Sequence, residues 1–520
     1  MPEHLRALAV ILVLAGAVFA LARPLACAAA MTEPAFARRR NLWFALTLTA
    51  FLAHNFWIFV AFAALLLLFT IPSEHNKLAL WFFVLLAVPA IGAEIPGFGL
   101  VEHFFVVDHV RLLALAVLLP AWLALRMRPD AEPFGRSGAD KLLAAYLVLQ
   151  LCLLFPHTTL TEALRRGVFY AFVDVFLPYY VASRAARDLA GVREALTAFA
   201  LAALVAAAIA VFEFARHWLL YAPLEESLGV DWGLLNYLER GDGRLRAQAS
   251  TGQPIVLGYV LALGLTLMLY VNRFFLSTPW RYGALALLAA GLVATMSRGP
   301  WLGALVMLLA FVATAPRAWS RLAKLGVAGL CVLPFLMVSS AGRALVDFLP
   351  FVGTVEAHNV AYRERLFEIS LGVVLDHPWF GAWDFLELPV MQQLRQGQGI
   401  IDVVNTYLGV ALASGFVGLA LFCGFFLVVL AALVAALRRA AQSPAGRDAP
   451  AGGREGDVYA AGQALLCALL GILVMIFTTS SIGLIPVIYW AFAGLAQAYA
   501  RQASIAPDPK HADERLFVAA

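Results

Sequence analysis

Apolar residues in this chain come in solid blocks, not in alternation. Stretches such as 190–212 and 415–437 run for more than twenty positions with almost no charge. A helix crosses a bilayer core with about 20 apolar residues, so each block is long enough to span. Blocks of this kind fall near 5–23, 41–71, 78–92, 109–126, 141–157, 163–183, 194–216, 254–272, 281–296, 300–315, 325–340, 404–437, 458–477 and 481–499. Between them lie clusters of Pro, Gly and charge, as helix ends require. The stretch 41–71 is broken by His54-Asn55 and is long for one span but short for two. The pattern predicts an all-α fold, a polytopic transmembrane helical bundle of about 12–15 spans. A membrane β-barrel is excluded, because its strands alternate apolar and polar residues over about ten positions.

Positive charge orients such a bundle, since Lys and Arg concentrate in cytoplasmic connections. The basic connections are Arg38-Arg39-Arg40, Arg126/Arg128/Arg136/Lys141, Arg184/Arg187/Arg193, Arg273/Arg281, Arg317/Arg321/Lys324 and Arg438/Arg439/Arg447/Arg454. From Arg126 onward they alternate with the intervening loops and leave the C-terminus inside, with the N-terminal side open. Outside, which in a Gram-negative cell means the periplasmic face of the inner membrane, lie 93–108, 217–253 and a large loop, 341–403, expected to hold short interfacial helices. The turn Ser297-Arg298-Gly299-Pro300 also falls outside. Residues 5–30 resemble a signal peptide, but in a polytopic chain an uncleaved first span is the better reading.

Composition narrows the class. Of 520 residues, 62% are hydrophobic and 13% charged, and the mean hydropathy is +0.84. Globular domains carry about 25% charged residues, so a soluble enzyme, a nucleic-acid binder and a disordered scaffold are excluded. The net charge of +4 adds little. Cys27, Cys152, Cys331, Cys423 and Cys467 lack metal-ligand spacing and mostly sit in apolar runs, where they read as small core residues.

Candidate chemistry gathers on the outer side. An arginine at the rim of a span snorkels to headgroups, pairs or meets an anion. Arg298 does so where positive charge is normally depleted. Arg244 and Arg246 precede Pro254, which suits the first turn of a helix, and a helix N-terminus with basic neighbours is suited to phosphate. Arg363 and Arg365 flank the start of a segment whose Phe367, Ile369, Leu371, Val374 and Leu375 predict a helix lying on the membrane and ending before Pro378. The bland alternative for these two is contact with lipid headgroups. Glu213 sits one turn from Arg216, the spacing of an ordinary helical ion pair, but an ionisable group near membrane depth is also a candidate base or arginine partner. His103 and His109 have no metal-spaced partners, and the sequence holds no HExxH, P-loop or Gly-rich dinucleotide motif.

The Ser-Arg-Gly-Pro-Trp-Leu-Gly turn at 297–303 resembles the signature of the O-antigen ligase and polysaccharide polymerase superfamily. Arg363…Phe367…Asp376-His377-Pro378-Trp379-Phe380-Gly381 and Asn405-Thr406-Tyr407-Leu408…Gly415-Phe416-Val417-Gly418 resemble two further elements of it. Arg246…Gln253-Pro254 resembles a fourth, and the four stand in the family's order across about 240–440. The resemblance implies three regions: N-terminal helices over 1–240, a catalytic region over 241–440, and C-terminal helices with a cytoplasmic tail over 441–520.

It also implies glycosyl transfer on the periplasmic face from a polyprenyl-diphosphate-linked glycan, without metal or cofactor. Cationic side chains would neutralise the leaving diphosphate, for which guanidinium is suited. Arg298 and Arg363 are then the first candidates, with Arg246 and Arg365 as second choices and Arg244, Asn405 and Tyr407 as further substrate-binding residues. The superfamily's ligases carry a histidine where this chain has Val404. That departure favours a polymerase of exopolysaccharide or O-antigen repeat units over a ligase acting on lipid A core or protein. The base is then sought among Asp402, His377, His358 and Glu213. Membrane lipids and a chain-length regulator or export proteins are the implied partners, and nucleic acid is not. A lipid or polysaccharide transporter is the reading from another class. Transporters usually show internal repeats and mid-membrane breaks, whereas the polarity here collects in outer loops.

Overall fold

The computed structural model describes residues 1–99, 101–129, 131–230, 243–275, 277–315, 318–338, 357–395, 399–442 and 454–505. Parts of the expected loops 217–253, 341–403 and 440–456 therefore lie outside the described residues, as does the side chain of His358.

The all-α expectation holds. The chain runs through α1 (Glu3–Ala29), α2 (Glu33–Leu52), α3 (Phe56–Thr70), α4 (Lys77–Val84), α5 (His109–Arg126) and α6 (Gly138–Leu154). A continuous helical stretch over 160–185, α7, includes the π-helical segment Ala163–Phe176. Then follow α8 (Leu189–Arg216), α9 (Pro254–Val271), α10 (Thr278–Ala294), α11 (Arg298–Ala313), α12 (Ala318–Val338), α13 (Ala357–Asp376), α14 (Thr406–Gln442), α15 (Arg454–Phe477) and α16 (Leu484–Ile505). Among the described residues, 8 helices are long and apolar enough to cross a membrane. The larger number expected from the sequence counts shorter apolar helices as well, such as the 16-residue α11 and the 17-residue α10.

The stretch 41–71 resolves into two helices. His54 takes a left-handed φ of 48°, and the Asn55 side chain accepts from the backbone N–H groups of Trp57 and Ile58, capping α3. The first of these helices begins earlier than expected. The Arg38-Arg39-Arg40 run is inside α2 because Arg39, fully buried, bonds Glu74 and Glu194 at 2.7 and 2.8 Å. The block at 78–92 is a short helix that ends by Val84. Its exit leads into a feature the apolar pattern does not predict, an antiparallel hairpin of β1 (Gly92–Pro96) and β2 (His103–Asp108), with Gly92 opposite Asp108. Its sequence cause is the aromatic and β-branched run Phe104-Phe105-Val106-Val107, residues that favour strands.

The centre of the bundle is α8, whose most apolar window is 83% buried. Its alanines allow the close approach that drives helix association in lipid. A Cβ on Gly264 of α9 would lie 2.4 Å from the Ala203 side chain, and one on Gly291 of α10 would lie 2.9 Å from Ala207. Ala203 and Ala207 are four residues apart, on one face of α8. The main core runs from Ala7 to Ala500. A second, smaller one seats α13 on α14 through Leu366, Val373, Val374, Ala411 and Leu412.

Candidate functional site

The two ends of the bundle differ in their charges. At the end that carries the basic connections, arginines meet carboxylates. Arg184 bonds Asp140 at 2.6 Å, Arg193 bonds Asp457 at 2.8 Å, and Arg501 pairs with Glu132. The Arg39 cluster belongs to the same end. The opposite end gathers Glu3, the hairpin, the segment 243–253, the Ser297–Pro300 turn and residues 478–483. Trp218, just beyond α8, donates to Glu3 at 2.8 Å there.

Segment 243–253 is held as a strap. Glu213 near the end of α8 is fully buried, and its carboxylate accepts three backbone N–H bonds. They come from Leu220 at 3.0 Å, Gln248 at 2.9 Å and Ala249 at 2.8 Å. Three donors on one carboxylate satisfy most of its lone pairs. Ala249 itself takes a left-handed φ of 46°, a costly conformation for a residue with a Cβ, kept because the bonds over-determine it. Ser250 ties the strap to the exit of α4, donating to Leu86 O at 2.7 Å and accepting at its carbonyl from Ala90 N at 2.8 Å.

The strap places Arg246 against the turn that precedes Arg298. Ala247 N donates to Ala294 O at 3.0 Å. Arg246 donates to Thr295 O at 3.3 Å and to Ser297 Oγ at 3.0 Å. Met296 turns the chain with a left-handed φ of 49°, and Arg298, half-buried, is the first residue of α11. Gly299 and Gly303 fit α11 closely to α15. A Cβ on Gly299 would come within 2.5 Å of Thr478 Oγ1, and one on Gly303 within 2.2 Å of Met475. The structure thus joins Glu213, Arg246 and Arg298 in one assembly. Arg244, exposed, stands at the start of the strap.

A second group lies across Thr478–Ser481. The Asp402 carboxylate accepts from Ser480 Oγ, and its carbonyl accepts from Tyr362 OH at 3.2 Å. Thr406 Oγ1 donates to Thr479 O at 3.0 Å. Asn405 caps α14 by accepting from the N–H groups of Tyr407 and Leu408, and Tyr407 OH donates to Leu473 O at 3.0 Å. The contacts described for Asn405 and Tyr407 are therefore internal to the scaffold. Residues Thr478 and Thr479 connect this group to the first.

The third group is α13 and its exit. Arg363 and Arg365 are exposed, with Arg365 donating to Gln393 Oε1 at 3.3 Å. His377, also exposed, ends the helix before Pro378. Beyond it two glycines interlock backbones. Gly415 interrupts α14 with φ 62° and ψ −165°, and a Cβ there would lie 2.4 Å from the Trp379 carbonyl. Gly381, at φ +70°, would bring a Cβ 2.4 Å from Leu412 O. Phe416 N donates to Pro378 O at 2.7 Å and Ala382 N to Leu412 O at 2.8 Å. The Asp376–Gly381 and Gly415–Gly418 motifs are thus two halves of one joint that docks the loop on the bundle.

Two cavities border the strap. One, of about 360 Å3, is lined by Asp108, Arg111, Asp174, Thr251, Gln253 and Ser481 among others. The other is an apolar groove of about 410 Å3 between the ends of α8 and α10, lined by Phe214, Ala215, Ala290, Val293 and Ala294. Sequence reasoning passed over Arg111 and Asp174. Both are ionisable residues in apolar segments, and that alone was the available signal.

Fold and site together define a polytopic helical membrane protein whose arginines are presented on a pinned strap at one end. Residues 283–423 match the O-antigen ligase family. A curated "O-antigen ligase" of Pseudomonas aeruginosa is similar, at 23% identity over 326 residues, covering 61% of this chain and 71% of that one. Both findings support a likeness to the O-antigen ligase and polysaccharide polymerase superfamily.

Proposed function

We propose that the protein is a periplasm-facing glycosyltransferase that polymerises repeat units of an exopolysaccharide or O-antigen from a polyprenyl-diphosphate-linked donor. The observation that carries this reading is the Glu213-pinned strap, which fixes Arg246 against the turn leading into Arg298. Two guanidinium groups held at the end of the bundle suit a diphosphate leaving group, and pre-set positive charge stabilises what develops as the glycosyl bond breaks. The apolar groove beside Ala294 offers the isoprenoid chain a path from the lipid to the same place, since Ala294 also bonds the strap at Ala247.

In this reading Arg298 and Arg246 bind the diphosphate, with Arg244 at the strap's start. Arg363 and Arg365 approach the glycan or the second phosphate from the loop. Glu213 positions the strap through the three N–H bonds that it accepts. Asn405 and Tyr407 shape the entry to α14. Asp402, bonded to Ser480, and His377, exposed, stand as candidate bases from the sequence. The active face is periplasmic and the membrane the inner one, on the distribution of arginines. A chain-length regulator or export protein would act alongside.

A second reading, transfer of a finished glycan to lipid A core or protein, is favoured by the name of the Pseudomonas relative. Val404 in place of the ligase histidine weighs against it. Deleting the gene and sizing lipid-linked and surface glycans tests both. Polymerisation predicts single repeat units in place of long chains, restored by wild type but not by Arg298→Ala at normal membrane levels. Long chains accumulating on the polyprenyl carrier would instead mark a ligase. Unchanged glycans would remove the glycosyltransferase reading.

A further inference from the structure

The cavity of about 360 Å3 has a size usual for small-ligand sites, roughly 300–1,000 Å3. Its walls come from the start of α5, from α7, from the strap and from the segment leading into α16. Three features of these walls are unusual for the end of a membrane bundle. Asp174 gives one oxygen, Oδ2, to Arg111, which donates to it at 3.0 and 3.3 Å, while its buried Oδ1 has no hydrogen-bond partner. His109 is 7% exposed, and both its ring nitrogens are buried without a partner. Arg111 is itself fixed, 3.5 Å above the Tyr170 ring and bonded to Val106 O at 3.1 Å. Asp174, His109, Arg111 and Gln253 all stand in the cavity wall, and polar side chains gathered round one space of this size point to a polar ligand. A carboxylate, an imidazole, a guanidinium and the Gln253 amide around one space form a surface suited to sugar hydroxyls.

The cavity adjoins the arginine assembly. Gln253 is five residues before Gly258, about 7.5 Å along a helix, and a Cβ on Gly258 would lie 2.9 Å from Pro300. Ser481 is three residues beyond Thr478, a reach of at most about 11 Å, and Thr478 packs on Gly299. The Gln253 wall of the cavity therefore lies about 10 Å from Pro300, near the start of α11.

Resting on the proposed glycosyl transfer, we infer that this cavity binds the hydroxyl-bearing end of the acceptor glycan, and that the Asp174 carboxylate in its wall accepts the proton of the attacking hydroxyl. The acceptor oxygen forms a bond to the anomeric carbon of the donor. The bond from that carbon to the diphosphate oxygen breaks, its electron pair leaves with the polyprenyl diphosphate, and the hydroxyl proton passes to Asp174. Arg111 is a positioning residue that holds the carboxylate through Oδ2. Gln253 binds a neighbouring hydroxyl. The assignment supplies a base in a chain that has Val404 where the ligases have histidine.

The test uses the full-length protein in lipid nanodiscs, with radiolabelled lipid-linked oligosaccharide extracted from a strain lacking the gene as donor and acceptor. Asp174→Asn keeps an oxygen for Arg111 and removes the proton acceptor. Its kcat is expected to fall at least 100-fold at unchanged donor affinity and unchanged thermal unfolding, with Asp174→Glu recovering part of the rate. Gln253→Ala is expected to raise the acceptor KM about ten-fold with little change in kcat. Transfer by Asp174→Asn within three-fold of wild type, or loss of donor affinity and fold in both Asp174 variants, would overturn the inference alone. Absence of transfer by wild type would overturn it together with the proposed function.

Discussion

The two ends of this bundle use the same residues differently. At the basic end Arg39 bridges Glu74 and Glu194, Arg184 meets Asp140 and Arg193 meets Asp457. Arginine there closes a structure by neutralising charge. At the other end the buried carboxylate, Glu213, holds backbone N–H groups, while Arg246 is held by a hydroxyl and a carbonyl. Arg246 is placed by the strap against a turn, whereas Arg39 is locked between two carboxylates. The Arg111–Asp174 pair falls between these cases: the arginine is matched, and both residues stand in a cavity wall. Arg165 and Arg166 also pair with Glu162 beside the hairpin, so the contrast is drawn at the strap and not over the whole end.

Substitutions can break this contrast. Arg39→Ala leaves two buried carboxylates without a counter-charge, which typically costs about 3–5 kcal/mol. The protein should then fail to accumulate in membranes, read by immunoblot, and normal levels would show the cluster to be dispensable. Arg298→Ala should leave levels intact and cut glycan transfer about 10²–10³-fold, the usual loss for one donor to developing charge. Arg298→Lys should recover little of it, because lysine cannot form the paired, planar contact. Glu213→Gln keeps the shape but loses the charge that three N–H groups point at. It should reduce transfer through a displaced strap, with greater proteolytic sensitivity near 243–253 as the accompanying sign. Gly415→Ala, which sets a Cβ 2.4 Å from the Trp379 carbonyl, should loosen the loop and lower transfer at unchanged bundle stability. The smallest change is expected at Arg365→Ala, whose described partner is the exposed Gln393; loss within about three-fold would fit a headgroup or glycan contact.

Much of the architecture could be read from the chain because lipid imposes a simple rule: backbone groups must be satisfied within each apolar segment. Solid apolar runs therefore give helices directly, and the Asn55 cap marks where 41–71 divides. The hairpin at 92–108 escaped because a short polar-edged ribbon has little signal beside so many apolar blocks. Arg39 was read as a loop residue because its partners, Glu74 and Glu194, are distant in sequence. Arg298 stood out by its place between two spans, and the strap by its approach to Pro254. What the chain could not display was the fastening of one to the other, since Glu213, Gln248 and Ser297 meet only in three dimensions. Glu213 read from sequence is an ionisable group at a helix end. In the structure its three N–H bonds give it a scaffold geometry. The glycines of the Asp376–Gly381 and Gly415–Gly418 motifs likewise look like markers of chemistry, yet their geometry is that of a joint.

The proposed function requires Arg246 and Arg298 to form one diphosphate site. The direct measurement is the affinity of the nanodisc-embedded protein for polyprenyl diphosphate and for polyprenol, in wild type, Arg246→Ala and Arg298→Lys. Wild type should prefer the diphosphate, and each substitution should weaken it at least ten-fold while polyprenol binding is unchanged. Equal affinity for the two lipids in wild type, or diphosphate binding untouched by both substitutions, would contradict it.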